Sequence, residues 1–263
     1  MIKREIQLFN FFLRSFRNGF YLFLKYNYIN FLWKFFGKKS AINFTKKHPT
    51  IAIFKSENKI ITRWPFSLVN IFLDKEYTFF SDFIPKKGQI ILDLGANEGI
   101  YTYFSSSLVG EKGKIYSVEP LPENINILKE NIKNNNLKNV IIIEAALQSK
   151  DGYCNFNVRQ GIGSHYVDKE GKLKVKAITL KTILKKIEKI DIMKMDIEGS
   201  ELDVLKNVGN EIKKIDKAII ECHNKNSDQI QYIMKKKGYD LKLKEKGRLI
   251  YARLIKTYKN KLN

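Results

Sequence analysis

The feature that most constrains the fold is a short apolar run that ends in a glycine-rich turn. Residues 90–94 are apolar except for Asp93, Gly95 and Gly99 lie in the turn that follows, and an apolar segment resumes at Ile100. An apolar run bounded by turn residues predicts a buried parallel strand. In an α/β sheet, ligands bind at the carboxyl end of such a strand, facing the N-terminus of the next helix.

The turn favours a ligand other than a dinucleotide. A dinucleotide fingerprint requires glycine at positions 95, 97 and 100, and the chain has Asn97 and Ile100 at the last two. Asp93, at the end of the strand, suits an ammonium group better than a phosphate. Glu119 ends the next predicted strand, twenty residues after Gly99, where a carboxylate that binds ribose hydroxyls is expected.

Several segments carry a family resemblance. Asp-Leu-Gly-Ala-Asn-Glu-Gly at 93–99, followed by Val-Glu-Pro at 118–120, resembles class I S-adenosyl-L-methionine (SAM) methyltransferases. Lys-Glu-Asn-Ile-Lys-Asn-Asn at 129–135, Glu-Ala-Ala-Leu at 144–147 and Lys-Met-Asp-Ile-Glu-Gly-Ser-Glu at 194–201 resemble the FkbM subgroup in particular. The resemblance extends from about residue 77 to about residue 223 and implies a SAM-dependent enzyme that methylates a hydroxyl group.

The order of predicted elements agrees with this family. Strands and helices alternate through the core, which predicts a doubly wound, Rossmann-like α/β fold with a seven-stranded class I methyltransferase sheet. A terminal antiparallel pair and an N-terminal helical appendage complete the predicted fold. We divide the chain into a basic, aromatic helical segment (1–48), a small β-unit with a helix over 66–83 (49–84), and the FkbM-like methyltransferase domain (85–258).

The resemblance also implies which residues contact SAM. They come from four segments, and small residues at 145 and 146 allow the backbone to approach the flat adenine. The expected cofactor-binding residues are Asp93, Gly95, Asn97, Gly99, Glu119, Pro120, Ala145, Ala146 and Asp196.

Candidate catalytic residues lie at the ends of two later strands. Asp196, Glu198, Glu221 and His223 should converge on one crevice, because the carboxyl ends of parallel strands meet at one edge of a sheet. Asp196, Glu198 and His223 are the candidates for catalysis, and His223 has an intrinsic pKa suited to a general base. All four are also candidate ligands for a divalent metal such as Mg²⁺, although their spacing does not establish a metal site. Alternatively, Glu198 interacts with a helix N-terminus and Glu221 supports Lys194.

A formal net charge of +21 keeps several partners open. Nucleic acid, an anionic membrane and an acidic glycan are all compatible with it, as is simple compositional bias towards Lys, Asn and Ile. We therefore weigh three functions: methylation of a hydroxyl on a glycan or small metabolite, methylation of RNA or another polyanion, and a non-enzymatic SAM-binding scaffold at a membrane. Nucleic acid is the less favoured acceptor, because the basic residues are spread along the chain and no Asn-Pro-Pro-Tyr motif occurs.

Residues 1–48 differ in composition from the rest. They contain ten Lys and Arg residues against one acidic residue, Glu5, together with many aromatic residues. Apolar residues spaced three and four apart predict one amphipathic helix, which either lies in an anionic membrane interface or packs on the core or a second protomer. The expected apolar face consists of Ile6, Phe9, Leu13, Phe16, Phe20, Phe23 and Leu24.

Neither a spanning helix nor a signal peptide is expected. No apolar run approaches the ~18 residues that cross a bilayer, and no small-residue cleavage site follows an apolar stretch. The two cysteines, Cys154 and Cys222, imply no disulfide framework and fit a reducing compartment. We therefore expect a cytoplasmic protein, with peripheral attachment to the inner face of a membrane as the open alternative.

One loop is a candidate for contact with the acceptor. Residues 159–165 lie between two alternating segments, at 152–158 and 172–178, that predict strands. A long loop near the strand ends can cover an acceptor, and a solvated hairpin tip is the equally weighted alternative.

Overall fold

The computed structural model of the protein describes residues 2–157, 166–167 and 171–255. The α-helices are α1 (Ile2–Ser15), α2 (Gly19–Lys47), α3 (Phe66–Leu68), α4 (Ile100–Val109), α5 (Pro122–Asn134), α6 (Leu180–Lys185), α7 (Glu201–Asn207) and α8 (Ser227–Lys236). The strands are β1 (Thr50–Ile53), β2 (Lys59–Thr62), β3 (Ile90–Leu94), β4 (Lys114–Glu119), β5 (Val140–Glu144), β6 (Ala146–Leu147), β7 (Gly152–Asn157), β8 (Tyr166–Val167), β9 (Leu173–Ile178), β10 (Ile190–Met195), β11 (Ile215–Glu221), β12 (Tyr239–Lys244) and β13 (Leu249–Leu254).

A seven-stranded sheet forms the centre, in the order β12–β13–β11–β10–β3–β4–β5. Strands β3, β4, β5, β10 and β11 run parallel, and β13 pairs antiparallel with both β11 and β12. The predicted doubly wound α/β sheet with a terminal antiparallel pair is therefore confirmed. Strands β1 and β2 form a separate hairpin, and β6, β9, β7 and β8 form a second, smaller sheet.

Both faces of the central sheet are covered, and β3 shows how its residues are divided between them. Leu92 and Leu94 pack into one core with the apolar residues of α6, α7 and α8. Ile91 packs into the other core with α4, the hairpin and the N-terminal helices. Because successive side chains of a strand point to opposite faces, Asp93 belongs to the same face as Ile91.

The predicted strand over 140–146 is divided between the two sheets. Strand β5 ends at Glu144, the backbone N–H of Ala145 donates to the carbonyl oxygen of Ile143 at 3.0 Å, and β6 begins at Ala146. The chain therefore leaves the central sheet at its carboxyl edge, and this brings Ala145 and Ala146 to the site described below.

The N-terminal segment forms two helices, whereas one continuous helix was expected. The chain turns between α1 and α2, where Asn18 donates to the carbonyl oxygen of Ile51 at 2.6 Å. A Cβ atom at Gly19 would lie 2.1 Å from the carbonyl oxygen of Phe12, so the two helices approach closely at this glycine. The turn changes which residues face the core.

Because of this turn, the predicted apolar face does not pack on the core as a whole. Leu8, Phe12, Leu22 and Tyr26 pack against the hairpin and α4. By contrast, four members of the predicted face are exposed, namely Ile6, Leu13, Phe20 and Leu24. Phe16 is the member that is fully buried, and it also bridges to Phe54.

Helix α2 folds back on itself. The rings of Tyr28 and Phe44 lie 5.0 Å apart, whereas a straight helix would separate these residues by about 24 Å. Consistent with this, the ammonium of Lys25 donates to the carbonyl oxygen of Pro49 at 3.0 Å. Among the described residues, no helix combines the length and apolar character required to cross a membrane.

The helix expected over 66–83 is interrupted. Helix α3 continues into a π-helical turn, Val69–Leu73, and the chain then leaves helical geometry at Lys75, whose φ is 53°. The reason is a set of long-range contacts: Arg248 binds Glu76 at 2.7 Å, and the hydroxyl of Tyr251 donates to the carbonyl oxygen of Glu76. These contacts hold the segment in a turn, closed by the N–H of Thr78 donating to the carbonyl oxygen of Lys75 at 3.0 Å, that places Tyr77 in the site.

Two short helices lie near the site. Helix α7 begins after Ser200, whose side chain makes no capping hydrogen bond; Glu201 accepts from the backbone N–H of Gly199 instead, at 3.0 Å. Helix α6, capped by Thr179, was not predicted. The loop expected at residues 159–165 lies outside the described residues.

Candidate active site

The site is built where two backbone turns meet at the carboxyl edge of the sheet. The N–H of Asp196, after β10, donates to the carbonyl oxygen of Leu94 at 3.0 Å. At Gly95 the backbone φ is 77°, and a Cβ atom there would lie 1.8 Å from the carbonyl oxygen of Asp196. Only glycine permits this approach, so Gly95 determines how the two turns are joined.

A first cavity of about 610 Å³ opens beside these turns. Most of the residues that were expected to bind the cofactor line it. They come from the ends of β3, β4 and β10 and from the β5–β6 junction. The predicted residues that line it are Gly95, Asn97, Glu119, Pro120, Ala145, Ala146 and Asp196. Glu198 also lines this cavity, as do Gln148 and Phe156, which the sequence analysis did not identify.

Asp93 does not line the first cavity. Its side chain is fully buried, with one oxygen 3.4 Å from the ammonium of Lys194 and the other accepting from the Thr102 hydroxyl at 2.7 Å. The residue meets an ammonium group, as expected, but that group belongs to Lys194. Burial would lower the pKa of Lys194, yet Asp93 and Asp196 raise it, so the pair is ionic.

Gly99 is also absent from the lining of the first cavity. It precedes α4 with a φ of 83°, and a Cβ atom there would lie 2.3 Å from the Cδ1 atom of Leu128 on α5. Its role in this structure is therefore to let α4 and α5 pack closely.

Glu119 lies at the wall of the first cavity and is 4% exposed. One carboxylate oxygen accepts from the N–H of Asn97 at 2.9 Å. The other accepts from the N–H of Leu121 at 3.1 Å and from the amide of Asn124 at 2.9 Å. A carboxylate has about four acceptor positions, so one acceptor position of Glu119 remains for a ligand in this cavity. Burial raises the pKa of Glu119, although these three hydrogen bonds oppose the shift.

A second cavity, of about 950 Å³, adjoins the first. The two share Gly95, Asn97, Asp196 and Glu198 in their linings. The second cavity is further lined by aromatic and charged side chains, including Trp64, Glu76, Tyr77, Tyr101, Lys194, Glu221 and Arg248. Ligands bound in the two cavities would therefore meet at Asp196.

Tyr77 joins the two carboxylates that end β10 and β11. Its hydroxyl lies 3.1 Å from Asp196 Oδ2 and 3.0 Å from Glu221 Oε2. Burial and both carboxylates raise the pKa of Tyr77 well above its usual value, so the hydroxyl keeps its proton. Burial, Asp196 and Glu76 raise the pKa of Glu221 to about 7, against the opposing effect of Arg248, which forms an ion pair with it.

Glu198 and His223 form a second group of titratable side chains. Burial and Asp196 raise the pKa of Glu198 to about 7. Burial alone would lower the pKa of His223, but a 2.9 Å hydrogen bond to Glu201 and the neighbouring carboxylates raise it to about 9. At neutral pH His223 is therefore a cation, which differs from the general base that its intrinsic pKa suggested.

Three of the four candidate metal ligands lie together. Ligand atoms of Asp196, Glu221 and His223 are all within 4.8 Å of one another. Glu198 is not in this group, although one of its oxygens is 3.6 Å from His223 Nε2. The Oδ1 atom of Asp196 is buried and has no hydrogen-bond partner in the described structure.

Several residues of the second cavity escaped the sequence analysis. Trp64, Glu76 and Arg248 are far from the glycine-rich turn in sequence and carry no recognisable pattern. Arg63, next to Trp64, binds the buried carboxylate of Glu98 at 2.6 Å and so fixes the end of the hairpin to the glycine-rich turn. Lys194, a basic residue within the largely apolar strand β10, was the sequence signal that pointed to a buried charge at the second cavity.

Comparisons with known proteins agree with this architecture. A family model described as "Methyltransferase FkbM domain" matches residues 93–241. The hexuronic acid methyltransferase AglP of Haloferax volcanii is 28% identical over 142 residues, which cover 52% of this chain and 57% of that protein. A probable cobalt-precorrin-6B C(15)-methyltransferase (decarboxylating) of Saccharolobus solfataricus is 28% identical over 130 residues, or 43% of this chain and 65% of that protein. The matches thus span less than two thirds of either relative.

Solved structures provide a further comparison. Methyltransferase FkbM from Methylobacillus flagellatus KT superposes with a TM-score of 0.47 at 17% identity, covering 72% of this chain and 54% of that chain. A SAM-dependent methyltransferase from Aquifex aeolicus superposes with a TM-score of 0.42 at 17% identity, covering 71% and 93%. Because the family model matches more than half of the chain, the protein belongs to the FkbM family of SAM-dependent methyltransferases.

Proposed function

We propose that the protein transfers the methyl group of SAM to a hydroxyl of a sugar, either within a glycan or in a related metabolite. The observation that carries the proposal is the second cavity, which meets the first at Asp196 and is lined by both aromatic rings and carboxylates. SAM would occupy the first cavity and the acceptor would occupy the second.

The charge of the second cavity favours a neutral polyhydroxyl acceptor over a polyanion. The lining contains two cations, Lys194 and Arg248, and five acidic residues, one of which, Glu98, is paired with Arg63 outside the lining. The acidic residues are Glu76, Glu98, Asp196, Glu198 and Glu221. Both cations already contact carboxylates. A phosphate backbone would meet net negative charge here despite the overall +21. Sugar hydroxyls, in contrast, donate hydrogen bonds to carboxylates.

The aromatic residues of the second cavity are also suited to a sugar. Trp64, Tyr77 and Tyr101 present apolar surface in a cavity that is also lined by charged and polar side chains. Ligand sites commonly combine such surface with a few polar groups that fix orientation. The name of the relative AglP, a hexuronic acid methyltransferase, supports a sugar as the acceptor. A hexuronic acid carries a carboxylate, so this name does not bear on whether the sugar is neutral.

Asp196 is the residue we assign to the acceptor proton. It lies in both cavities, and its Oδ1 atom has no hydrogen-bond partner among the described residues. The attacking hydroxyl oxygen forms a bond to the methyl carbon as the methyl–sulfur bond breaks, and the hydroxyl proton passes to the Asp196 carboxylate. Tyr77 and the His223 cation, whose Nε2 lies 4.0 Å from Asp196 Oδ1, hold that carboxylate in place.

We also propose that a divalent metal such as Mg²⁺ can bind Asp196, Glu221 and His223. Two carboxylates and an imidazole are suitable donors once the metal displaces the proton that His223 carries at neutral pH, and the unpartnered Oδ1 of Asp196 is consistent with a missing ligand. A bound metal would lower the pKa of an acceptor hydroxyl. Activity measured in EDTA, and again after Mg²⁺ or Mn²⁺ is restored, tests this; full activity in EDTA would contradict a required metal.

The acceptor is tested by incubating the protein with SAM labelled in its methyl group. Parallel samples contain neutral oligosaccharides, uronic acid oligosaccharides, lipid extract and RNA, and the Asp196→Asn variant is the control. We expect label in a saccharide, as a methyl ether that resists the mild base that cleaves methyl esters.

Two outcomes would overturn the proposal. Label in RNA alone would favour the polyanion alternative. SAM binding without transfer to any of these fractions would favour the non-enzymatic scaffold.

A further inference from the structure

Helix α2 displays a row of exposed apolar side chains. We define the aromatic stripe as Phe20, Leu24, Tyr28, Phe31 and Phe35, which are between 46% and 63% exposed. Their spacing of four, four, three and four residues places them on one side of the helix. The stripe is roughly 22 Å long at 1.5 Å per residue. Tyr21, at 52% exposed, lies at its border.

The opposite side of α2 is anchored in the protein core. Leu22 and Ile29 are fully buried, and Tyr26 packs its ring 4.5 Å from that of Phe66. The stripe is therefore presented outward by a helix that is fixed from behind. A contiguous exposed apolar surface of this kind marks an interaction site.

The surroundings of the stripe are basic. Residues 2–48 contain ten Lys and Arg and one acidic residue. Lys34, at the edge of the stripe, places its ammonium 5.6 Å from the centre of the Phe35 ring. Exposed Arg14 and Arg17 lie on the preceding turn and helix. A partner that complements both the stripe and its basic surroundings therefore has an apolar interior and an anionic surface.

We propose that the aromatic stripe of α2 seats the protein on the surface of an anionic bilayer. Aromatic residues and cationic side chains together are typical of helices that lie in the membrane interface. Pairing of two copies through the stripe is disfavoured, because each chain carries a net charge of +21 and brings its basic residues to the same place.

Single-stranded RNA fits the stripe less well. Stacking of successive bases needs ring faces that stand apart, whereas the rings of Phe31 and Phe35 pack on each other, with centres 4.8 Å apart. Leu24, within the stripe, offers no stacking face. The paired rings and the leucine suit acyl chains better than stacked bases.

The side of α2 opposite the stripe faces the second cavity. Trp33, two residues from both Phe31 and Phe35, lies on that side, and its ring is 5.5 Å from that of Trp64, which lines the cavity. Docking through the stripe would therefore leave this wall of the cavity on the side of α2 away from the lipid surface.

The test measures binding of the full chain to vesicles. Sedimentation is compared for phosphatidylcholine vesicles with and without phosphatidylglycerol, at low and high salt. The stripe variant is Phe20→Ser/Phe35→Ser, whose positions are 57% and 63% exposed. The matched control is Tyr153→Ser/Tyr232→Ser, whose positions are 71% and 66% exposed but lie elsewhere. Circular dichroism checks that both variants fold.

We expect the wild type and the control to bind anionic vesicles, with affinity that falls as salt rises. The stripe variant should bind at least roughly tenfold more weakly, because it lacks two aromatic rings that the membrane would bury.

Three results would overturn the proposal. The first is that the wild type does not bind anionic vesicles, or that the stripe variant and the control variant lose the same amount of affinity for them. The second is a dimer that only the stripe variant dissociates, which would assign the surface to a second copy. The third is binding of oligouridylate that depends on the stripe, with none to vesicles, which would assign it to RNA.

Discussion

The ammonium of Lys194 lies 3.4 Å from the carboxylate of Asp93, beneath the turn that joins the two cavities. Both side chains are at least nine-tenths buried. The same ammonium donates to the carbonyl oxygen of Gly95 at 2.6 Å and lies 3.8 Å from Asp196. This pair thus links the first strand of the core to the turn that carries Asp196.

Removing one partner of this pair should destabilise the protein. Lys194→Met leaves Asp93 as a buried, unpaired charge, which typically lowers the free energy of unfolding by about 3–5 kcal/mol. Urea denaturation measures the loss. The Asp93→Asn/Lys194→Met double variant removes both charges and should recover a large part of it. If the double variant is as unstable as the sum of the single variants, the two residues are not energetically coupled.

Gly95→Ala should abolish SAM binding. The added Cβ atom would lie 1.8 Å from the carbonyl oxygen of Asp196, so the two turns must separate. Gly88→Ala is the matched control: Gly88 also has a positive φ, of 81°, but nothing lies within 4 Å of its added Cβ. The control should lose about 1–2 kcal/mol of stability from backbone strain alone and keep its SAM affinity by calorimetry. Normal SAM binding in Gly95→Ala would mean that the two turns tolerate separation.

Glu119→Ala should weaken SAM binding by ~1–3 kcal/mol, the usual effect of losing a hydrogen bond and leaving its partners unsatisfied. The neighbouring Glu144, its cross-strand partner on β5, is 53% exposed and provides the control Glu144→Ala, which should leave the affinity unchanged. Equal affinities for both variants and the wild type would place the ribose contact elsewhere.

The SAM affinity should also depend on pH through Glu119. Burial raises the pKa of this carboxyl above its ordinary value of 4.5. In the proposed complex the Glu119 carboxylate accepts a ribose hydroxyl, so the affinity should fall as the pH is lowered through the raised pKa. Glu119→Gln carries no titrating proton and should show a flatter profile over the same pH range. If the SAM affinities of the wild type and Glu119→Gln change with pH in the same way, the pH dependence comes from another group.

The central fold was predictable because its signals are local. Apolar runs such as 90–94, each followed by a turn and a helical segment, define the strands without knowledge of their neighbours. Helix α6 was missed because its six residues are too short to show a period. The helix expected over 66–83 failed for a different reason, since Arg248 and Tyr251 hold Glu76 through contacts more than 170 residues away in sequence.

The site was predictable in part for the same reason. Gly95, Glu119 and Asp196 end strands, and strand ends in a parallel sheet share an edge. The partners of Asp93 and Gly99 were not accessible to this reasoning, because both depend on residues brought in by other elements, Lys194 and Leu128. The pKa of His223 likewise depends on Glu201, whose nearness only the fold reveals.

The central claim is that Asp196 serves turnover between the two cavities, and the most direct test is Asp196→Asn, which keeps the shape of the side chain and removes its charge. The measurement is single-turnover methyl transfer at saturating SAM and acceptor, beside the Kd for SAM. We predict a rate lower by roughly 10²–10⁴, the range of general acid–base catalysis, with the Kd changed much less. A variant that keeps the wild-type rate at saturation, but loses SAM affinity or stability, would contradict the claim and assign Asp196 to cofactor binding or structure.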